Sequence, residues 1–489
     1  MFWEILIGIW VISTIVLVLL ENRHPVKTLA WMMVLVFLPV VGLVLFFLFG
    51  MGTRGKGRIL VSDQDKDTLA RLTAEAIGQT ADKTSDFKLQ TSDNSPASEP
   101  VDLPPSISDT LLPTMMLHAA RVPLVAGNDV QVFTAFDDMF STLKRDIAAA
   151  TDSIHVQFFK FENDAIGREL SQLLIRKAAE GVSVRVLYDS VANFFVGAGF
   201  YRRMRQRGVQ VISFMRLHLP FIRPYANCRN HRKVVVVDGH IGYLGGMNIA
   251  ERYRLGIHGG IWRDTHIRLT GPAVGQMQAS FLTDWRFAAG ELITDEALFP
   301  PLPPTGTLPV QIVPAGPMDE WRNVMQGLLQ IIAQSRSYVY IQTPYFMPSE
   351  PIITVLCNAA LGGVDVRLML PSHGDKGAIT QLASCSFLRE LLAAGVRVCF
   401  YEAGFLHAKT LVSDDHFCTI GSTNFDFRSF EQDFEINAFI YDTAFACSQR
   451  DIFLADERHA RYVTYDEWCR RPLLRRFAES LTRLFSPLM

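Results

Sequence analysis

Two stretches of the chain repeat one arrangement of reactive side chains: a histidine, a lysine two places on, and an aspartate five places after the lysine. The first holds His231, Lys233 and Asp238 in NHRKVVVVDG, the second His407, Lys409 and Asp414 in LHAKTLVSDD. Each is followed by a glycine, a small residue and an asparagine: Gly245, Gly246 and Asn248 in the first copy, Gly421, Ser422 and Asn424 in the second. Both glycines lie 14 residues after their histidine and both asparagines 17 after it. A solitary histidine such as His218 or His258 reads as an ordinary surface or core residue. Two matched copies with matched tails do not arise by accident.

The pattern suits a phosphodiester. Val234 to Val237 is a β-branched run typical of a buried strand, and side chains two apart on a strand share a face. Histidine and lysine therefore point the same way in each copy. Brought together, two ammonium groups and the amides of Asn248 and Asn424 would neutralise the non-bridging oxygens and the charge of a five-coordinate transition state. One neutral imidazole can attack phosphorus while the other, as imidazolium, protonates the leaving alkoxide. This nominates His231, Lys233, Asp238, His407, Lys409 and Asp414 as catalytic, and Asn248 and Asn424 as phosphate-binding. No metal is required, since the lysines supply positive charge, and ligand spacings such as HExxH are absent. Each imidazole also needs an acceptor on its other nitrogen. Two carboxylates inside strand-like segments fit that need: Asp264 in IWRDTHI, expected to orient His231, and Glu435 in DFEIN, expected to orient His407. The alternative is that each is a structural acid paired with arginine.

Placing two such motifs on one phosphorus requires two similar scaffolds, and the chain supplies them. Strand-like Ile154–Phe159 is followed by a helical stretch and then Gly181–Leu187; Tyr338–Gln342 is followed by a helical stretch and then Gly363–Met369. Short apolar runs alternating with helical periods indicate α/β layers, and the repetition implies an internal duplication with a pseudo-twofold axis. Equivalent residues then face one another between the halves, where a shared site belongs.

Around this lie other regions. Phe2–Leu20 and Leu29–Gly50 are apolar stretches of 19 and 22 residues, with Glu4 the single charge between them, each long enough to cross a hydrocarbon core of about 30 Å as a helix. The link from Glu21 to Thr28 makes them a hairpin; a cleaved signal peptide fits less well, because a second apolar run follows. Arg54, Lys56 and Arg58 after the second span, against Arg23 and Lys27 in the link, favour a cytoplasmic catalytic portion. Residues 59–115 read as a linker with one short helix near Thr68–Ile77. The net charge of −2 gives no basic field of the nucleic-acid-binding kind, and seven scattered cysteines without a CxxC pair read as small buried hydrophobes. The segment 194–223 interleaves Phe194, Phe195, Phe200, Phe214 and Phe221 with Arg202, Arg203, Arg216 and Arg223, and reads either as a headgroup-level lipid contact or as core beside a solvated basic face. Leu473, Leu474, Phe477, Leu481 and Leu484 have helical spacing beside four arginines and read as a packing helix.

The paired HxKx4D motifs with their GG/GS-x-N tails resemble the phospholipase D superfamily. The stretch ENRHPVKTLAWMMVLVFLPVVGLVLFFLFG resembles the membrane anchor of bacterial cardiolipin synthases, as do NHRKVVVVDGHIGYLGGMNIAERY, WRDTHIRLTGPAV, HAKTLVSDDHFCTIGSTNFDFRSFEQDFEIN and ESLTRLFSPLM in their places. Cys228 departs from the pattern, standing where the family more often has a larger residue. The resemblance implies an α/β fold of duplicated phospholipase D-like domains, two mixed β-sheets flanked by helices, preceded by two transmembrane helices. It divides the chain into a membrane anchor (1–58), a linker (59–115), a first domain (116–300) and a second (301–489). It implies a multi-pass protein of the bacterial inner membrane, without cofactor or nucleic acid. Its substrates would be phosphatidylglycerol and other membrane lipids. One phosphatidylglycerol would give its phosphatidyl group to a histidine, and a second would take it, yielding cardiolipin and glycerol. The pseudo-symmetric motifs leave the choice of nucleophile open, with His231 the first candidate. A phospholipase D-type hydrolase, a nuclease using the same site, or a non-catalytic membrane scaffold are the alternatives.

Overall fold

The computed structural model describes residues 10–16, 18, 25–46, 62–78, 111–215, 227–257, 259–375, 377–484 and 486. Strands of the first half are β1 (Val125–Phe133), β2 (Ser153–Phe158), β3 (Ser183–Asp189), β4 (Gln210–Phe214), β5 (Arg229–Asn230), β6 (Lys233–Val237), β7 (Ile241–Gly245), β8 (Ile261–Arg263) and β9 (His266–Thr270). Those of the second are β10 (Leu308–Ala315), β11 (Tyr338–Gln342), β12 (Phe346–Met347), β13 (Asp365–Pro371), β14 (Arg397–Tyr401), β15 (Gly404–Leu406), β16 (Thr410–Ser413), β17 (Phe417–Gly421), β18 (Phe425–Asp426), β19 (Asp433–Ile440) and β20 (Ala460–Val463).

The duplication is legible in the strand order. The first half runs β1-β9-β7-β6-β2-β3-β4 and the second β10-β19-β17-β16-β11-β13-β14, with β20 added at the far edge. In both, a parallel trio bounds an antiparallel set: β2 pairs β3 and β3 pairs β4 in parallel, as β11 pairs β13 and β13 pairs β14. The two expected sheets are joined rather than separate. β1 and β10 pair antiparallel at the axis, so both halves share one continuous sheet.

Strand sequences follow from burial. β6, KVVVV, is buried along its whole length because helices cover both faces, which is why it reads as an unbroken β-branched run. The helix Val274–Ala289 lies against β4, β6 and β10, and its Met277, Phe281 and Leu282 share a core with Val234, Val236, Ile312, Ile436 and Ile440. One core therefore spans both halves. Helix ends are fixed locally: Asp164 accepts from the Gly167 N–H and Asp442 from the Phe445 N–H, each a side-chain N-cap.

Within the region read as a linker, Asp63–Ala76 is a helix opened by a Ser62–Asp65 capping box. Its Leu69, Leu72 and Ala76 enter the shared core, and Asp65 pairs with Arg286 at 3.1 Å. Helix Leu112–Ala120 puts Leu112 and Met116 into the core of the second half, although it precedes the first in sequence.

Among the described residues no helix is long and apolar enough to cross a membrane. Much of the expected first span lies outside them, as does the end of the second. Helix Pro25–Phe37 is followed by helix Pro39–Leu45, with a break at Leu38, where the following proline disfavours helical backbone. Met33, Val36, Phe37, Val40 and Val41 are exposed there. In the 194–223 segment, Phe200 and Phe214 are buried while Phe194 and Phe195 are exposed; residues 216–223 lie outside the described part.

The helix Leu473–Arg483 packs with the opposite face to the one expected. Its leucines and Phe477 point outward, and Glu479 is its buried residue. The cause is charge: Arg471 and Arg475 reach Glu479 at 2.5 and 3.4 Å and hold the polar side inward.

Candidate active site

Each motif histidine sits in a short bridge between the halves. β5, just before His231, pairs in parallel with β19 of the second half, Asn230 opposite Phe434, and the His231 N–H donates to the Phe434 carbonyl at 2.9 Å. β15, just before His407, pairs in parallel with β8 of the first half, Leu406 opposite Arg263, and the His407 N–H donates to the Arg263 carbonyl at 2.7 Å. The residue after each acceptor carbonyl is an acid. His231 Nδ1 therefore lies 2.9 Å from Glu435 Oε1, and His407 Nδ1 lies 2.6 Å from Asp264 Oδ2.

This corrects the expected pairing. Asp264 and Glu435 are both histidine partners, but each serves the histidine of the other half, because β5 and β15 cross the axis to pair. Nor are they arginine-paired acids: Arg263 takes Asp456 at 2.8 Å, leaving Asp264 to His407. A carboxylate on Nδ1 fixes the tautomer and leaves Nε2 for chemistry.

The lysines follow their histidines on the same face. Lys233 Nζ donates to the His231 carbonyl and Lys409 Nζ to the His407 carbonyl, each at 2.5 Å. His407 lies within electrostatic reach of Lys409, Asp375, Lys233 and His231, so the two motifs converge. Burial dominates their acid–base behaviour. It pushes the Glu435 carboxyl up to about 7, against the pull of Lys233 and Lys409, and raises Asp264 likewise. It lowers Lys409 to about 8 and Lys233 well below the usual lysine range. His407 falls well below the ordinary imidazole value, through burial first and Lys409 second. An anion entering the site would raise both lysines and the imidazole again.

The motif aspartates do not join this cluster. Asp238 and Asp414 occupy tight turns after β6 and β16, in left-handed backbone at φ 51° and 52°. Asp238 accepts from the N–H groups of Thr151, Asp152 and Ser153 at 2.8–2.9 Å; Asp414 accepts from those of Arg336, Ser337 and Tyr338 at 2.6–2.9 Å. Their expected catalytic role is corrected to a structural one. Each pins the turn after the lysine strand to the start of the neighbouring strand, β2 or β11, and so fixes the register of histidine and lysine.

Asn248 and Asn424 are buried. Asn248 accepts from the Lys160 N–H at 3.0 Å and donates to the Tyr253 hydroxyl at 2.5 Å, while the Tyr253 ring lies edge-on to His407, centroids 5.7 Å apart. Asn424 Oδ1 is buried with no hydrogen-bond partner among the described residues.

Several residues escaped sequence reasoning. Ser422 donates to Glu435 Oε2 at 2.5 Å. At the equivalent Gly246, any Cβ would overlap the Asp264 carboxylate, so only glycine fits. The signal was available in the GG against GS tails, read against Asp on one side and Glu on the other. Arg232, between His231 and Lys233, points the other way and donates to the carbonyls of Glu435 and Ala315 at 2.9 and 3.1 Å while pairing with Asp284 at 2.7 Å. Trp262 and Phe405 enclose His407, with centroids 5.1 and 5.9 Å away.

The family model for the phospholipase D-like domain of cardiolipin synthase matches residues 143–285 and 328–456, and an N-terminal model of phospholipase D and nuclease proteins matches residues 8–50. The chain is 37% identical over 484 residues to the major cardiolipin synthase ClsA of Bacillus subtilis, covering 98% of this chain and 97% of that one. It is 36% identical to a cardiolipin synthase of Geobacillus kaustophilus, covering 100% and 95%. The crystal structure of a phosphatidylserine synthase from Haemophilus influenzae superposes with TM-score 0.60 at 16% identity, over 77% of this chain and 99% of that one, a likeness of fold. Two crossed histidine–carboxylate pairs in a duplicated α/β scaffold, with these matches along nearly the whole length, place the chain in the phospholipase D-like cardiolipin synthase family.

Proposed function

We propose that this chain joins two phosphatidylglycerol molecules into cardiolipin, releasing glycerol, through a phosphatidyl-histidine intermediate. The observation that carries the mechanism is the pair of buried imidazoles, each held at Nδ1 by a carboxylate of the opposite half and flanked by a lysine. Nε2 of His231 attacks phosphorus; the N–P bond forms, the P–O bond to glycerol breaks, and the His407 imidazolium protonates the departing glycerol oxygen. Neutral His407 then takes the proton of a free glycerol hydroxyl on the second phosphatidylglycerol. That oxygen attacks phosphorus and the N–P bond breaks.

Two features favour His407 as the acid. Its carboxylate partner is the nearer, 2.6 against 2.9 Å, and Asp375 adds a second negative charge. Glu435 also accepts from the Ser422 hydroxyl, as Asp264 does from the Thr265 N–H. Burial pulls the His407 imidazole well below its ordinary value, and the negative charge of an entering phosphodiester pulls it back up. Lys233 and Lys409 stabilise the charge on phosphorus. Asn248 and Asn424 are assigned to the phosphate oxygens. One phosphodiester replaces another, so no nucleotide is consumed.

The catalytic halves are taken as 116–300 and 301–489. The apolar stretches Phe2–Leu20 and Leu29–Gly50, the exposed apolar side chains between Met33 and Val41, and the match over residues 8–50 support a two-helix anchor in the bacterial membrane with the catalytic portion on the cytoplasmic side.

Purified protein given phosphatidylglycerol alone should produce cardiolipin and glycerol in equal amounts, and rapid quenching should leave the phosphatidyl group on the peptide containing His231. Phosphatidic acid as the sole lipid product would make the chain a hydrolase, and the adduct on His407 would reverse the two roles.

A further inference from the structure

The helix Leu473–Arg483 inverts the ordinary amphipathic arrangement. At 100° per residue, Leu473, Leu474, Phe477, Leu481 and Leu484 fall within one arc of about 100°, and all five are exposed, Leu474 to 80% and Phe477 to 66%. The opposite side faces the protein and carries Glu479, held by Arg471 and Arg475. The helix is firmly seated: it packs on helix Ala378–Cys385, and the Arg483 guanidinium lies over the Phe387 ring at 4.3 Å. Ile379 on that neighbouring helix is also exposed. The apolar face is thus built to point away from the protein.

We propose that this helix docks in the plane of an anionic bilayer, its leucines and Phe477 between the acyl chains and its arginines among the headgroup phosphates. Charge selects this occupant over a second protein. From Arg470 to Met489 the chain has five arginines, one acid and no lysine, and the acid, Glu479, is spent internally on Arg471 and Arg475. Arg470 and Arg476 remain outside the Glu479 pairs, the composition of an interfacial helix with affinity for negative headgroups. The choice of lipid also rests on the proposed phosphatidyltransferase activity, whose substrate would be such a lipid. The geometry gives the docking a purpose. The loop before helix Ala378–Cys385 carries Asp375, which lies within electrostatic reach of His407 and accepts from the Tyr345 hydroxyl at 2.6 Å. A bilayer gripped by Leu473–Arg483 would therefore lie one helix away from the loop that carries Asp375.

The test places p-benzoylphenylalanine at Phe477 of the full-length protein, in vesicles of phosphatidylcholine with one third phosphatidylglycerol. Illumination should attach lipid to residue 477, with a several-fold lower yield in pure phosphatidylcholine. A cross-linked dimer, or no lipid adduct, would overturn the proposal; an equal yield in both vesicles would overturn the anionic assignment. In parallel, Leu474→Ser with Phe477→Ser should lower cardiolipin formation on vesicles at least tenfold and leave turnover of monomeric short-chain phosphatidylglycerol unchanged; equal loss on both would point to a folding defect and count against docking. The lipid adduct forms without turnover, so a protein that adds lipid at residue 477 but makes no cardiolipin would refute the activity alone.

Discussion

The two halves have the same strand order and the same bridge from motif to opposite acid, yet they furnish their histidines differently. His231 meets a glutamate that a serine hydroxyl also holds, and its ring lies edge-on to Phe159, centroids 4.8 Å apart. His407 meets an aspartate flanked by glycine and is enclosed by Tyr253, Trp262 and Phe405. Arg232 braces the first motif from behind, where the second has Ala408. A longer acid held by a hydroxyl and a shorter acid packed against a glycine are two solutions to one problem, placing a carboxylate oxygen on Nδ1. Duplication supplied the frame, and the side chains then diverged to give two equivalent imidazoles unequal surroundings.

The comparison can be broken most severely at the histidines. His231→Ala and His407→Ala should each lower cardiolipin formation by about 10⁴-fold or more, and the double variant should be scarcely worse than either, since the two act as one unit. Additive losses would mean that the halves work separately. The next test contrasts the tails. Gly246→Ala forces a Cβ into the Asp264 carboxylate and should cost about 10²-fold in kcat through misplacement of His407, whereas Ser422→Ala removes one hydrogen bond and should cost less than about tenfold. Similar losses at both positions would remove the distinction.

Glu435→Gln sharpens the crossed pairing. It should lower kcat by about 10- to 100-fold and shift the imidazole ¹⁵N resonances of His231 rather than His407, with Asp264→Asn doing the reverse. It should also stabilise the fold at high pH. Burial raises the Glu435 carboxyl from 4.5 to about 7, so between those values the unfolded chain has released a proton that the folded chain still binds. Stability falls as pH rises through that window and the penalty persists above it. The variant should match the parent below pH 4.5 and exceed it in Tm at pH 8; an equal Tm at both would show that Glu435 titrates normally. The smallest effect on chemistry belongs to Asp238→Ala and Asp414→Ala, which should each cost about 1–3 kcal/mol in denaturant unfolding by releasing backbone N–H groups, with the kcat of the folded enzyme preserved.

What the sequence disclosed and what it hid divide along the same physical line. The motifs, the two acids and the strand pairs from Ile154 and Tyr338 were readable because each rests on local spacing. Which acid serves which histidine was not, because β5 pairs with β19 and β15 with β8 across some two hundred and some hundred and forty residues, and no local pattern reports such a contact. Asp238 and Asp414 misled because recurrence in a motif marks a shared need, and here the need is a turn. The Leu473–Arg483 periodicity was correct while its direction was hidden, being decided by Arg471 and Arg475 drawing Glu479 inward.

The crossed bridges carry a consequence for how the protein comes to life. While the chain is being made, the first half emerges with His231 in place but without Glu435, and His407 follows only near the end of synthesis. On the proposed mechanism, a partly made chain therefore has no carboxylate-held imidazole to turn on a phosphodiester. Reactivity would then begin when the last strands close across the axis, making completion of folding the licence to act.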